Sequence, residues 1–258
     1  FNTQSLTWSL AGEIEFYYTS RRSPLKSYVF RSAFMQDGET MRFWSWGVGC
    51  VYDYNLKTGV FNRVDKSFNQ LNQLGHSWHF NTNNGFIYAF GGYGLFSAKN
   101  LFTYYDSNLD EWELFRTKSD QLPPYTYNSS MIYDSVSSQF MIHINRYGTK
   151  QTDMELDYKT METNQLWTYS PTTLEWYSHG IWNQQFIDEK EKIVGMPSII
   201  MTTNFDLSSR LWFGLHQADI SHNPKQTQHL IVVDLDTYQQ YAFSTNLLPK
   251  SIQHSVIS

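Results

Sequence analysis

Cysteine is nearly absent from this sequence. Cys50 stands alone in 258 residues, so no intramolecular disulfide can form and stability has to come from packing. Excess positive charge is absent too. The net charge is −5, the pI is near 5.9, and the 19 Lys and Arg are scattered rather than striped, which argues against a nucleic-acid partner. No apolar run approaches the roughly 18 residues that a membrane-crossing helix needs, and the mean hydropathy is −0.48, so no membrane insertion of this segment is expected. Neither a start methionine nor a signal-peptide pattern precedes Phe1, which gives the expectation of a segment of a longer protein. No compartment follows from these features.

Known catalytic signatures are missing as well. There is no GxSxG nucleophile elbow. The glycine clusters Gly47 to Gly49 and Gly91 to Gly94 lie between expected strands rather than ahead of a phosphate-binding helix. The Asn128, Ser129, Ser130 sequon matters only in a glycosylating pathway.

What the chain has in abundance is aromatic residues. They make up 17% of it, with 18 Tyr, 18 Phe and 9 Trp, and aromatics favour strands. An all-β fold is the expectation, at a length that suits one barrel or propeller as well as two smaller domains.

A repeat supports it. From Gly75 the text runs GHSWHFNTNNGFIYAFGGYG, then NLFTYYD and SNLDEWELF. An apolar strand ends in the pair Gly91 and Gly92, Tyr105 follows, and Trp112 lies seven positions later. The step of seven recurs at Tyr169 and Trp176, at Tyr54 and Phe61, at Phe1 and Trp8, and at Val233 and Gln240, where Tyr241 is a possible substitute. The column 1, 54, 105, 169, 233 has spacings of 53, 51, 64 and 64, near the roughly 50 residues of a propeller blade. Two rings seven apart fit consecutive strands joined by a tight turn, packed on each other.

This pattern resembles the kelch repeat, in which a hydrophobic strand ends in a glycine doublet followed by a Tyr and then a Trp. The aligned strand ends are FWSWG at Phe43, FGGYG at Phe90, INRYG at Ile144 and FGLHQ at Phe213. One doublet survives in four copies. The resemblance implies an all-β, kelch-type β-propeller, with a partial blade over about 1–20, fuller blades over about 28–65, 75–117, 124–179 and 194–245, and the start of another over about 249–258. Two ends of that kind fit either a shared fifth blade or a segment of a larger ring, and the larger ring is favoured here.

The search for chemistry starts with eight histidines. His76 and His79 are an odd number of residues apart, so on a strand they face opposite ways. His216 and His222 share one expected long loop. No metal site is expected, and no cofactor. Galactose oxidase implies a comparison, since it is a kelch propeller with a copper site of two His and two Tyr, one cross-linked to Cys. Here Cys50 precedes Tyr52 and Tyr54, without a recognisable ligand set. Asp153, Glu155 and Asp157 alternate as if on one strand face, with Asp219 elsewhere, and read as a solvated acidic stretch rather than a glycosidase pair. No catalytic residue is assigned.

One column remains. The position after the doublet is Trp46, Tyr93, Tyr147 and His216, a ring in every copy, at the end of the second strand. The kelch resemblance puts it on a loop-rich face, with Arg146 and Trp182 in segments reaching the same side. Flat side chains around one mouth suit a protein, peptide or glycan, although packing as core against neighbouring blades is the weightier account of them. The functional expectation is a non-catalytic recognition or sensory domain. The alternative is a carbohydrate-active enzyme such as a sialic acid mutarotase.

Overall fold

A computed structural model describes residues 30–45, 49–66, 76–94, 97–126, 128–146, 165–181, 198–206, 210–217 and 229–244. The fold is all-β, and no helix occurs among the described residues. The expected partial blades at 1–20 and 249–258 lie outside them.

Four four-stranded sheets follow one another along the chain. The first is a meander of β1 (Phe30–Phe34), β2 (Thr40–Ser45), β3 (Val51–Asn55) and β4 (Phe61–Arg63). The second contains β5 (Ser77–Phe80), β6 (Ile87–Phe90), β9 (Phe102–Asp106) and β10 (Glu111–Leu114), in the order β10-β9-β6-β5. Between β6 and β9 the chain forms a separate two-stranded hairpin, β7 (Tyr93–Gly94) with β8 (Ser97–Ala98). The third sheet is β11 (Asn128–Asp134), β12 (Gln139–Arg146), β13 (Gln165–Ser170) and β14 (Glu175–Ile181). The fourth is β15 (Ser198–Asp206), β16 (Leu211–Gln217), β17 (His229–Asp234) and β18 (Gln240–Ser244). Such meanders are the building unit of β-propellers.

The step of seven is a cross-strand pair. Tyr54 lies opposite Phe61, Tyr169 opposite Trp176, and Val233 opposite Gln240. In each case the partners sit on the third and fourth strands, and the hairpin between them has a fixed length. Two residues before the fourth-strand member of each seven-residue step the backbone is left-handed: Gly59 (φ 68°), Asp110 (59°), Leu174 (62°) and Tyr238 (57°). The hairpins joining first and second strands close the same way at Gly38, Gly85, Ser138 and Arg210. Polar residues at the loop starts tie the turns. Asn55 Oδ1 accepts the amides of Lys57 and Thr58, and Asp234 Oδ1 those of Asp236 and Thr237, the local bonding that Asn and Asp supply in turns.

The described residues cluster into two compact units. In the first, which holds the first sheet with residues 80–86 and 105–112, Trp44 stacks on Phe80 at 5.5 Å and Tyr52 on Phe61 at 5.1 Å. The Arg42 guanidinium is buried, paired through two nitrogens with Asp53, bonded to the Gly85 carbonyl at 2.7 Å and placed over the Tyr105 ring. In the second, Phe90, Phe102, Met131, Phe140, Ile142, Ile144, Trp167, Tyr169 and Trp176 make one cluster. Ile132, Met141, Leu166, Trp212, Val233 and Leu235 make another. Phe140 to Ile144 are all buried, so both faces of that strand are covered, and all of its residues there but His143 are apolar.

Candidate functional site

The second strands end at Ser45, Phe90, Arg146 and Gln217; in the predicted ring column Trp46 and Tyr147 come next in sequence after such an end, Tyr93 comes three residues after one, and His216 lies inside β16, one residue before its end. Trp46, Tyr147 and Trp182 lie outside the described residues. Arg146 is the last residue of β12, opposite Asn128, and His216 is paired between Ile199 and His229. Tyr93 differs from its expected setting. It does not end the second strand but opens the β7–β8 hairpin, opposite Ala98, with 38% of its surface exposed.

That hairpin hangs from a backbone knot. Gly91 N–H donates to the Leu101 carbonyl and Gly92 N–H to the Thr126 carbonyl, while Lys99 N–H returns to Gly92 and Thr126 N–H bonds Lys99. Gly91 has φ 73° and Gly92 95°, a region costly for L side chains. A Cβ on Gly91 would also stand 2.8 Å from the Thr126 carbonyl oxygen. The doublet is needed where the segment leading to the third sheet crosses over the end of the second. Asn100 Nδ2 fixes that segment again through the Pro123 carbonyl. Sequence reasoning missed Thr126 as the partner of the doublet. The Pro123, Pro124 pair marks an extended segment there, but nothing in it names the glycines as its target.

The ionisable groups have structural settings. His79 lies among Tyr133, Tyr88 and Phe140, with ring centroids 5.9, 6.1 and 6.1 Å away, and burial lowers its pKa to about 4. His143 is fully enclosed on β12 and burial lowers it to about 3. His76 is buried as well. His179 meets Thr168 Oγ1 at 3.0 Å and its ring packs 4.1 Å from that of Tyr238. Burial lowers its pKa too. His222 and His254 lie outside the described residues. Arg210 joins Asp134 and Asp236, and Arg63 joins Asp65, whose other bond is to the Val51 amide. The Cys50 thiol is buried and burial raises its pKa, the opposite of a reactive thiolate. The acidic candidates Asp153, Glu155, Asp157 and Asp219 lie outside the described residues. Among those described, no group of three His, Cys, Asp or Glu side chains converges as a metal site.

No protein-family model matches this chain, and no curated protein does. Among solved structures, it is similar to a chain from the crystal structure of a nidogen/laminin complex, with 9% identity and a TM-score of 0.45. The match covers 82% of this chain and 62% of that one, so this chain spans less than two thirds of its length.

Proposed function

We propose that this chain is a kelch-type recognition domain without catalytic activity, binding a protein, peptide or glycan through the loops that follow its second strands. One observation carries the reading. Tyr93 opens a small hairpin anchored by four backbone hydrogen bonds, with 38% of its surface exposed, while Arg42, Arg63 and Arg210 are held in ion pairs and His79 in aromatic packing. A ring held on a fixed backbone offers contact area at little entropic cost. Binding loops carried on a rigid sheet are a common arrangement. Arg146, His216, Trp46, Tyr147 and Trp182 belong to the same proposed face through the repeat.

The purified domain should be screened on glycan and peptide arrays, and its hits titrated against Tyr93→Ala. Expected is a loss of about tenfold or more in affinity, the scale of a buried aromatic anchor, with the thermal unfolding midpoint unchanged. Hits indifferent to Tyr93 would remove the proposed face. Catalysed interconversion of sialic acid anomers, followed by NMR, would replace recognition with the enzymatic alternative.

A further inference from the structure

The hairpin between β5 and β6 carries the one Asn-Gly pair of the chain, Asn84 with Gly85. Glycine is obligatory there. Its φ is 71°, and a Cβ would stand 2.6 Å from Arg42 Nη1 and 2.7 Å from Met35 Cε, so a side chain would meet both backbone strain and a clash. The same bareness leaves the Gly85 nitrogen open to the side chain before it. Asn84 is exposed, and its Oδ1 accepts the Phe86 amide at 3.0 Å, which turns the carboxamide back over the Gly85 peptide. The oxygen that gains charge when a nucleophile adds to Cγ therefore already faces a donor. One contact opposes the attack. Gly85 N–H donates to the Asn81 carbonyl at 2.8 Å, so its nitrogen is released when the turn opens locally.

The β1–β2 hairpin holds a matching pair, Asp37 with the left-handed Gly38, and Asp37 Oδ1 accepts the Glu39 amide as Asn84 Oδ1 accepts that of Phe86. There the amides of Thr40 and Glu39 and the Thr40 hydroxyl hold the carboxyl below its ordinary range. A carboxylate anion repels a nucleophile and has no good leaving group, whereas a neutral carboxamide can release ammonia. The two turns share a shape and differ in reactivity.

We propose that Asn84 is a site of spontaneous deamidation, and that its isoaspartyl product frees the buried Arg42 from the β5–β6 hairpin. The Gly85 nitrogen adds to Cγ, the Cγ–Nδ2 bond breaks, and ammonia leaves with the proton that Gly85 gives up, which closes a succinimide ring. Water then opens the ring. Attack at Cγ gives aspartate, the residue that Asp37 already is in the equivalent turn. Attack at the main-chain carbonyl carbon gives isoaspartate, whose backbone runs through Cγ and is longer by a methylene. The added atom falls inside a turn whose length is fixed at both ends by Asn81, through its bonds with Gly85 and Phe86. It displaces the Gly85 carbonyl, which accepts Arg42 Nη1 at 2.7 Å.

The test ages the whole chain in mildly alkaline buffer beside a peptide of residues 81–88, with conversion followed by peptide mapping and mass spectrometry. Asn84 is expected to convert ahead of every other asparagine, at a rate within about tenfold of the peptide's, the scale on which one turn hydrogen bond protects. Asn84→Gln should stay unchanged over the same period. The isoaspartyl chain, separated by ion exchange, should unfold in urea with an equilibrium constant about tenfold larger than the fresh chain's, as expected for one lost hydrogen bond to a charged group. Asn84→Asp, with Asp37 as its precedent, should unfold like the fresh chain. A slower conversion than that, or another asparagine converting first, overturns the site. An isoaspartyl chain as stable as the Asn84→Asp variant overturns the link to Arg42.

Discussion

Trp112 and Trp176 share a column of the repeat but not an environment. Trp176 is 8% exposed and lies 4.9 Å from Tyr169, 5.4 Å from Phe90 and 5.6 Å from Phe102. Trp112 is half-buried, 5.7 Å from Tyr105, with its indole N–H bonded to the Gly49 carbonyl at 2.6 Å. Burial therefore sets the order of the two. Trp176→Ala should cost about 3–5 kcal/mol in chemical denaturation, and Trp112→Ala clearly less. Trp112→Phe, which keeps the ring but loses one hydrogen bond, should cost about 1 kcal/mol. Equal losses at the two alanine variants would mean that the column, not the surroundings, determines the energy. The column itself was legible in the sequence because a ring opposite a ring across a hairpin of constant length leaves a constant spacing. How deeply each ring sits was not, since that depends on neighbours far along the chain, such as Phe90 for Trp176.

At the scale of the hairpin, the left-handed residue is a structural column that composition hides. Gly59, Asp110, Leu174 and Tyr238 share a backbone state without sharing chemistry, because the hairpin's length demands the conformation and packing compensates the side chain's cost. Leu174 packs against the large cluster of the second unit, and Tyr238 against the smaller one. Ser138, in the equivalent place on the β11–β12 hairpin at φ 55°, is exposed. Ser138→Gly should therefore stabilise the chain by about 0.5–1 kcal/mol, removing left-handed strain without losing a contact. Gly91→Ala, where a Cβ meets the Thr126 carbonyl, should destabilise by more than about 1–2 kcal/mol. Thermal unfolding of both variants checks the pair; a destabilised Ser138→Gly would show that the strain there is already relieved. The doublet was visible in the text at Gly91 and Gly92, but its purpose came only from the crossing of Thr126.

On the scale of the whole molecule, buried neutral histidines tie stability to pH. His79 and His143 have pKa values near 4 and 3, against 6.5 for the exposed ring, and burial is the cause of both. Well above pH 6.5 neither folded nor unfolded chain protonates them appreciably. As pH falls from 6.5 towards 4, the unfolded chain takes up protons that the folded chain refuses, so stability declines through that window. The midpoint of urea unfolding should drop steeply from pH 6.5 to 4.5, with an uptake approaching about two protons. In His79→Phe, which keeps a ring among Tyr88, Tyr133 and Phe140, the uptake should shrink by about one proton. A pH profile identical in the two proteins would assign the acid sensitivity elsewhere.

The hairpins that close each sheet at the left-handed residues vary little in length, while residues 91–101, 147–164 and 218–228, between second and third strands, differ widely from the short link at 46–50. The change in repeat period from 51 to 64 arises partly there in the third sheet, where 147–164 exceeds 91–101, whereas 218–228 matches 91–101 in length and the fourth sheet takes up its extra residues in longer strands and in the link 182–197. Evolution and engineering meet the same asymmetry. Sequence inserted between second and third strands lengthens a tether without disturbing strand register, whereas one residue added to a closing hairpin shifts the fourth strand by one place and turns its inward rings to solvent. Within each sheet, the connection between second and third strands is thus the place where sequence can be exchanged while the closing hairpins stay constant.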